Sequence, residues 1–267
     1  MTRIAVVGHV EWVDFISLPA LPGEGQIAHA EGAITRAAGG GGVAAAVLAE
    51  QQVEVDFFCA LGRDADGEAA AAQLTEHGIG LHAAWREQPT RRAITLLTGA
   101  GERTIITIGE RLEPRASDAL SWQRLDGADG AYFTAGDADA LRLTRRGARV
   151  LVASPRARGA LADSNVAIDA LVFSALDDDE REWAKRLAGR AALLVATEGA
   201  SGGRWWGTSE GTWEAVPPPG PPRDSYGCGD SFAAGFTLGL AGGKSVEEAV
   251  NLGARLAALC LTRVGAP

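Results

Sequence analysis

The stretch Asp224 to Gly235, DSYGCGDSFAAG, concentrates the residues best suited to chemistry: two carboxylates, Asp224 and Asp230, flank Gly227, Cys228 and Gly229 ahead of an Ala-rich helical pattern. Small residues before a helix leave backbone N–H groups bare. The helix N-terminus adds unpaired donors and the positive end of its dipole, so the amides of Gly227, Cys228 and Gly229 form a seat for an anion such as a transferring phosphoryl group. A carboxylate is a poor ligand for phosphate. At position 230 it makes sense as a general base that takes the proton of an attacking hydroxyl, or, in a plainer reading, as the N-cap of the helix.

Other candidates are dispersed. Glu11 and Asp14 follow the first predicted strand, where a carboxylate can accept hydrogen bonds from a polyol or simply face solvent. Asp137, after the strand YFTAG, suits a helix N-cap. Ser174-Ala-Leu-Asp177 runs into Asp178, Asp179 and Glu180. A phosphate-bound magnesium ion needs one or two carboxylates and several waters, so Asp177 or Glu180 would suffice, although an acidic first helical turn has the same composition. His9, His29, His77 and His82 show no metal or triad spacing, and neither they nor the seven tryptophans are assigned a catalytic role. Cys59, Cys228 and Cys260 lack a CxxC pair and read as free thiols.

The elements that position these groups follow from the pattern of the 267-residue chain. Short Val/Ile/Leu runs alternate with longer Ala-rich stretches, a βαβα rhythm that predicts a doubly wound, mostly parallel α/β sheet with helices on both faces. Strands are expected at 4–8, 55–61, 131–134, 150–153, 170–174 and 193–197. Helices are expected at 43–52, 66–77, 137–146, 178–188, 229–241 and 246–262. Two segments, about 13–35 and 85–112, break the rhythm. RRAITLL and RTIITI within the second alternate like half-exposed antiparallel strands, which predicts a small β-sheet lid on a single domain spanning 1–267. PPPGPP at 217–222 reads as a stiff extended connector.

Composition narrows the partners. A net charge of −9 and a pI near 5.0 argue against nucleic acid. No apolar run approaches the roughly 18 residues of a membrane span, and the opening MTRIAVVGHVEW reads as a strand rather than a leader, so a cytoplasmic protein is expected. Glycine accounts for 35 residues, well above the usual share of about 7%, which implies many tight turns or ligand-hugging loops.

Asp224, Gly227, Gly229 and Asp230 match the D-T-x-G-A-G-D signature of the ribokinase-like (phosphofructokinase B, pfkB) carbohydrate kinases, with Ser225 and Cys228 as small replacements. The chain resembles that family along most of its length. Gly39 to Ala46 is similar to its first signature. Pro22-Gly23-Glu24 and Leu61 to Gly67 resemble lid and adjacent motifs, Thr197 to Gly202 its nucleotide loop, and Thr262 to Ala266 its closing segment. The resemblance implies Asp230 as catalytic base, the Gly227 to Asp230 amides as anion hole, and Asp224 beside a monovalent cation such as K+. It further implies Gly40, Gly41, Glu11, Asp14 and Asp137 near the sugar, Ser174, Thr197, Gly199, Gly202 and Ala254 at ATP, and Asp177 and Glu180 at Mg2+. A homodimer through the lid is implied as well.

The ribokinase form of the first signature is G-G-K-G-A-N, whereas Gly41 and Ala44 stand at the lysine and asparagine places here. The expected function is transfer of the γ-phosphoryl of ATP to a hydroxymethyl group of a sugar or nucleoside. A noncatalytic sugar- or nucleotide-binding sensor is the alternative on the same fold. A nicotinamide-dependent oxidoreductase is a further rival, although Gly39 to Gly42 lacks the strand-turn-helix setting of a dinucleotide loop.

Overall fold

The computed structural model describes residues 1–99, 103–265 and 267. Its order is β1 (Arg3–Val7), β2 (Glu11–Leu18), β3 (Gly32–Ala38), α1 (Gly39–Ala49), β4 (Glu54–Gly62), α2 (Ala65–Glu76), β5 (Gly80–Arg86), β6 (Arg92–Thr98), β7 (Arg103–Ile108), β8 (Ala128–Phe133), α3 (Ala138–Gly147), β9 (Ala148–Ala153), α4 (Arg158–Ser164), β10 (Ile168–Ser174), α5 (Asp178–Leu187), β11 (Ala191–Thr197), β12 (Gly203–Gly207), β13 (Gly211–Trp213), α6 (Cys228–Ala241) and α7 (Val246–Cys260).

Nine strands form the main sheet in the order β13-β12-β11-β10-β9-β8-β1-β4-β5, all parallel except for the reversed β12, which pairs antiparallel with β11 and β13. Both faces are covered, which is why its strands are apolar on successive residues. In β1, Ile4 and Val6 enter one core with α1, α6 and α7, while Ala5 and Val7 enter a second with α3, α4 and α5. The chain winds outward in both directions from β1, since β4 and β8 lie on either side of it in parallel register. Ligands of open α/β sheets bind beyond the carboxyl ends of strands at such a reversal.

Helix α1 starts four residues before the expected position, on glycines of poor helix propensity. Tertiary packing outweighs the propensity: a Cβ at Gly41 would lie 2.8 Å from the Phe57 ring and 2.9 Å from the Gly8 carbonyl carbon. A lysine at this place would therefore require the β1 and β4 ends to move. Glycines also let α6 and α7 approach closely, for a Cβ at Gly235 would meet Gly253 Cα at 2.9 Å.

The lid is a four-stranded sheet, β3-β2-β6-β7. Its β6–β7 pair is antiparallel, as expected, and so is β2–β3, whereas β2 and β6 run parallel. Trp85 and Arg86 belong to β5 on the main-sheet edge, so the lid's second segment begins later than expected. The sequence pattern also missed α4 and the β12–β13 hairpin. PPPGPP is irregular, and all three cysteines are free. Among the described residues, no helix is long and apolar enough to cross a membrane.

Candidate active site

Beyond the ends of β1 and β8 lies a cavity of about 260 Å³, walled by the starts of α1 and α6 on one side and by the lid on the other. Asp230, in the first turn of α6, lines it and is only 7% exposed. Gly227 caps α6 in the left-handed conformation, φ +75°, which a side chain would strain. Open space surrounds the position a Cβ would take at Gly229. By their place in the first turn, the Gly229 and Asp230 amides have no intrahelical acceptor and remain available to an anion.

Asp230 is not spent on capping. Its Oδ1 accepts a hydrogen bond from the Tyr132 hydroxyl at 3.1 Å, and its Oδ2 lies 3.7 Å from a guanidinium nitrogen of Arg156. Burial, followed by the neighbouring Asp230 charge, pushes the Tyr132 phenol well above its ordinary value, so it stays a donor. Arg156 Nε donates to Glu180 Oε1 at 2.9 Å, and the Ser174 amide donates to Glu180 Oε2 at 2.9 Å. Tyr132, Asp230, Arg156, Glu180 and the end of β10 thus form one polar chain. Gly40 closes on the same carboxylate, because a Cβ there would lie 2.9 Å from Asp230 Oδ1.

Opposite Asp230 sit His9 and Glu11. Burial, and then the charges of Arg111, Arg156 and Arg91, hold the His9 imidazole well below its ordinary value. It is neutral, and its Nε2 accepts the Gly40 amide at 3.3 Å, which puts the proton on Nδ1. Nδ1 is buried with no hydrogen-bond partner among the described residues. Glu11 lies 3.0 Å from Arg91 Nε; burial nonetheless raises its carboxyl above the ordinary value, outweighing that arginine.

A family model, the pfkB family carbohydrate kinases, matches residues 1–144 and 166–267. The chain belongs to this family. It is 31% identical over 110 residues to ribokinase from Arabidopsis thaliana, covering 40% of this chain and 29% of that protein. It is 40% identical over 77 residues to acarbose 7(IV)-phosphotransferase from an Actinoplanes species, covering 28% of this chain and 26% of that protein. The matched stretches thus span under a third of those curated relatives. The solved structure of Arabidopsis thaliana ribokinase complexed with ribose and ATP superposes with a TM-score of 0.77 at 22% identity, covering 100% of this chain and 95% of that one. At that identity the likeness is one of fold.

In this pfkB-family chain the expected site residues fall into several groups. Asp230, Gly227, Gly229, Gly40 and Glu11 meet around the cavity, and Cys228 opens α6 beside them. Gly41 packs behind it on Gly8 and Phe57. Asp14 is not brought there: β2 alternates, so Glu11 faces the cavity while Asp14 points to the other side of the lid, bonded to Thr35 Oγ1 at 2.7 Å and Arg92 at 2.7 Å. Asp137 caps α3 through the Ala140 amide, also accepts from the Ala116 amide, and lines a separate cavity.

Toward the other side of the sheet, Ser174 and Thr197 are paired at the ends of β10 and β11. Gly199, φ +59°, and Gly202, φ +83°, shape the turn after β11, and a Cβ at Gly202 would come within 2.0 Å of the Trp213 carbonyl oxygen. Ala254 is buried on α7. Asp177 caps α5 through the Glu180 amide at 3.0 Å, so Glu180 is the carboxylate that reaches the Asp230 chain. Asp224, 2% exposed, accepts from the Tyr226 amide at 2.8 Å and the Gly265 amide at 3.0 Å, joining the anion loop to the closing segment. Ala266 of that segment lies outside the described residues. Sequence reasoning missed Tyr132, Arg156 and His9, together with Arg91, Arg103 and Arg111 in the cavity wall.

Proposed function

We propose that this chain transfers the γ-phosphoryl group of ATP to a hydroxymethyl group of a sugar or nucleoside, with Asp230 as general base. The supporting observation is the juxtaposition at the start of α6: a buried carboxylate, a left-handed Gly227 cap and an open Gly229 face one cavity. The cradle fits a phosphoryl group, because its free amides and helix dipole offer charge without any side chain to block approach.

Asp230 would hold the acceptor hydroxyl and take its proton, while Tyr132 fixes the carboxylate's orientation and Gly40 leaves room for it. The Gly229 and Asp230 amides and Arg156 would face the negative charge that grows on the transferred group. The lid residues above would exclude water, which would otherwise compete as acceptor. A bound Mg2+ would neutralise phosphate charge. Glu180, whose oxygens accept from Arg156 and the Ser174 amide, would hold its water shell, with the ion carried mostly by phosphates and waters. Asp224 suits a monovalent cation: it is a buried carboxylate whose hydrogen-bond partners are backbone amides rather than a basic side chain.

The outer face of the lid carries Ile106 at 49% and Ile108 at 48% exposure, beside Ile16, Ile94 and Leu96. We assign this face to a second copy of the chain in a homodimer. With ATP as donor, the cytoplasm is the proposed location, and residues 1–267 act as one domain with its lid. The test is coupled ADP release with ATP and Mg2+, with and without K+, across pentoses, hexoses, sugar phosphates and nucleosides. One acceptor class should give turnover that collapses in Asp230→Asn. ATP binding without turnover on any acceptor would overturn the kinase assignment in favour of a sensor.

A further inference from the structure

Among the described residues, four arginines, Arg91, Arg103, Arg111 and Arg156, line the cavity against two carboxylates, Glu11 and Asp230, in a chain whose net charge is −9. A neutral polyol does not call for such a wall. Its hydroxyls are matched by carboxylates and amides, whereas guanidiniums converging on one cavity repel one another, and the half-buried Arg91 and Arg111 carry a desolvation cost that an oxyanion offsets best.

The four divide by location. Arg156 follows β9 on the main sheet and is committed to Asp230 and Glu180, the end where phosphoryl transfer is placed. The other three come from the lid side. Arg91 immediately precedes β6, Arg103 begins β7, and Arg111 follows β7. Along β7, Arg103, Ile105 and Thr107 occupy alternate positions and all line the cavity, so Arg103 is on the inner face of the lid. Arg91 pairs with Glu11, and Arg111 pairs with Glu113 at 2.5 Å and donates to the Arg156 carbonyl at 3.2 Å. Arg103 differs. It reaches from the lid to the loop ahead of α6, where its partner among the described residues is the Ser225 hydroxyl rather than a carboxylate. A guanidinium fork reaching across the cavity mouth to a neutral partner retains the charge and the donors to bind an incoming oxyanion.

We propose that Arg103, flanked by Arg91 and Arg111, binds an oxyanion carried by the acceptor itself, so that the substrate is a phosphorylated or carboxylated sugar rather than a neutral one. This rests on the kinase assignment of the Asp230 cavity and specifies its substrate class. The transfer step is the same for either anion. A bond forms between the acceptor hydroxyl oxygen and the γ-phosphorus, the bond from that phosphorus to the ADP oxygen breaks, and the hydroxyl proton passes to Asp230. The acceptor's own anion stays on the lid side as a handle, held away from the γ-phosphoryl, whose charge Arg156 and the α6 amides face.

The experiment is calorimetric titration of the nucleotide-free protein with fructose 6-phosphate, glucose 1-phosphate and gluconate, each beside fructose or glucose, with ADP release measured in parallel. At least one anionic sugar should bind about 10- to 100-fold more tightly than its neutral parent, a preference that salt weakens. Arg103→Gln should erase most of that preference, Arg103→Lys should restore part of it, and ATP affinity should not change in either. Phosphate and carboxylate are separated by which probe binds. Neutral sugars binding as well as the anionic ones, a preference that survives Arg103→Gln, or a loss confined to ATP affinity would each overturn the assignment. Failure of the kinase assignment looks different: selective anion binding that depends on Arg103, with no ADP released.

Discussion

In an Asp230→Asn variant the side chain keeps one oxygen able to accept from Tyr132 but loses both its charge and its capacity to take a proton. Removal of a positioned general base lowers kcat by about 10²- to 10⁴-fold, equivalent to about 2.7–5.5 kcal/mol of barrier. The effect on folding should be far smaller. The Arg156 side chain, 3.7 Å from Asp230, is 47% exposed and keeps its Glu180 partner, so loss of the ion pair costs about 0–1 kcal/mol. For a chain of this size that is a fall of no more than about 4 °C in Tm. Coupled ADP release would give kcat, titration with ATP would show the nucleotide site intact, and differential scanning fluorimetry would give Tm. A kcat within about 10-fold of the parent, with ATP binding and Tm preserved, would refute Asp230 as base. Glu11, the other carboxylate lining the cavity, would then be the group to test.

Further outcomes follow from individual contacts. A methyl group at Gly40 would press on Asp230 Oδ1 at 2.9 Å and Thr134 Oγ1 at 3.1 Å; Gly40→Ala should lower kcat by about 10²-fold with an unchanged circular dichroism spectrum. Folding keeps His9 neutral, whereas the unfolded chain protonates it near its ordinary value of about 6.5, so its contribution is complete above about pH 7 and is lost as pH falls through that value. Thermal melts between pH 8 and 5.5 should show this loss, at up to about 1.4 kcal/mol per pH unit, and His9→Gln should flatten it. Potassium chloride should raise Tm relative to tetramethylammonium chloride, by the equivalent of about 2.7 kcal/mol at 100 times Kd, and Asp224→Asn should abolish the difference.

Much of the architecture was legible because its signals are local. Parallel strands buried on both faces appear as unbroken apolar runs, and the α6 start is a compact cluster of small residues and carboxylates. What escaped depends on contacts between distant segments. The β12–β13 hairpin is short and glycine-punctuated, β5 alternates like a lid strand, and α4 lies between an irregular turn and Asn165 in the left-handed conformation. Glu11 and Asp14 were equivalent in sequence, and only the strand register separates cavity from outer lid. Tyr132, Arg156 and His9 come from β8, the segment after β9 and the segment after β1. Each is an isolated residue whose spacing means nothing until parallel pairing brings these strand ends together. The lid arginines were hidden for the same reason, since no charge run marks them.

The contact between Gly40 and the Asp230 carboxylate also bears on how this family diverges. Residues encoded far apart share one small volume, so under the role proposed for Asp230 selection would act on them jointly: while position 230 must present an unobstructed carboxylate, position 40 could not accept a side chain. A lineage that abandons catalysis but keeps ligand binding is freed from that restriction, and drift at position 40 should accompany or follow loss of the acid at 230. Paired inspection of the two positions therefore offers a way to tell working enzymes from descendants kept only for binding.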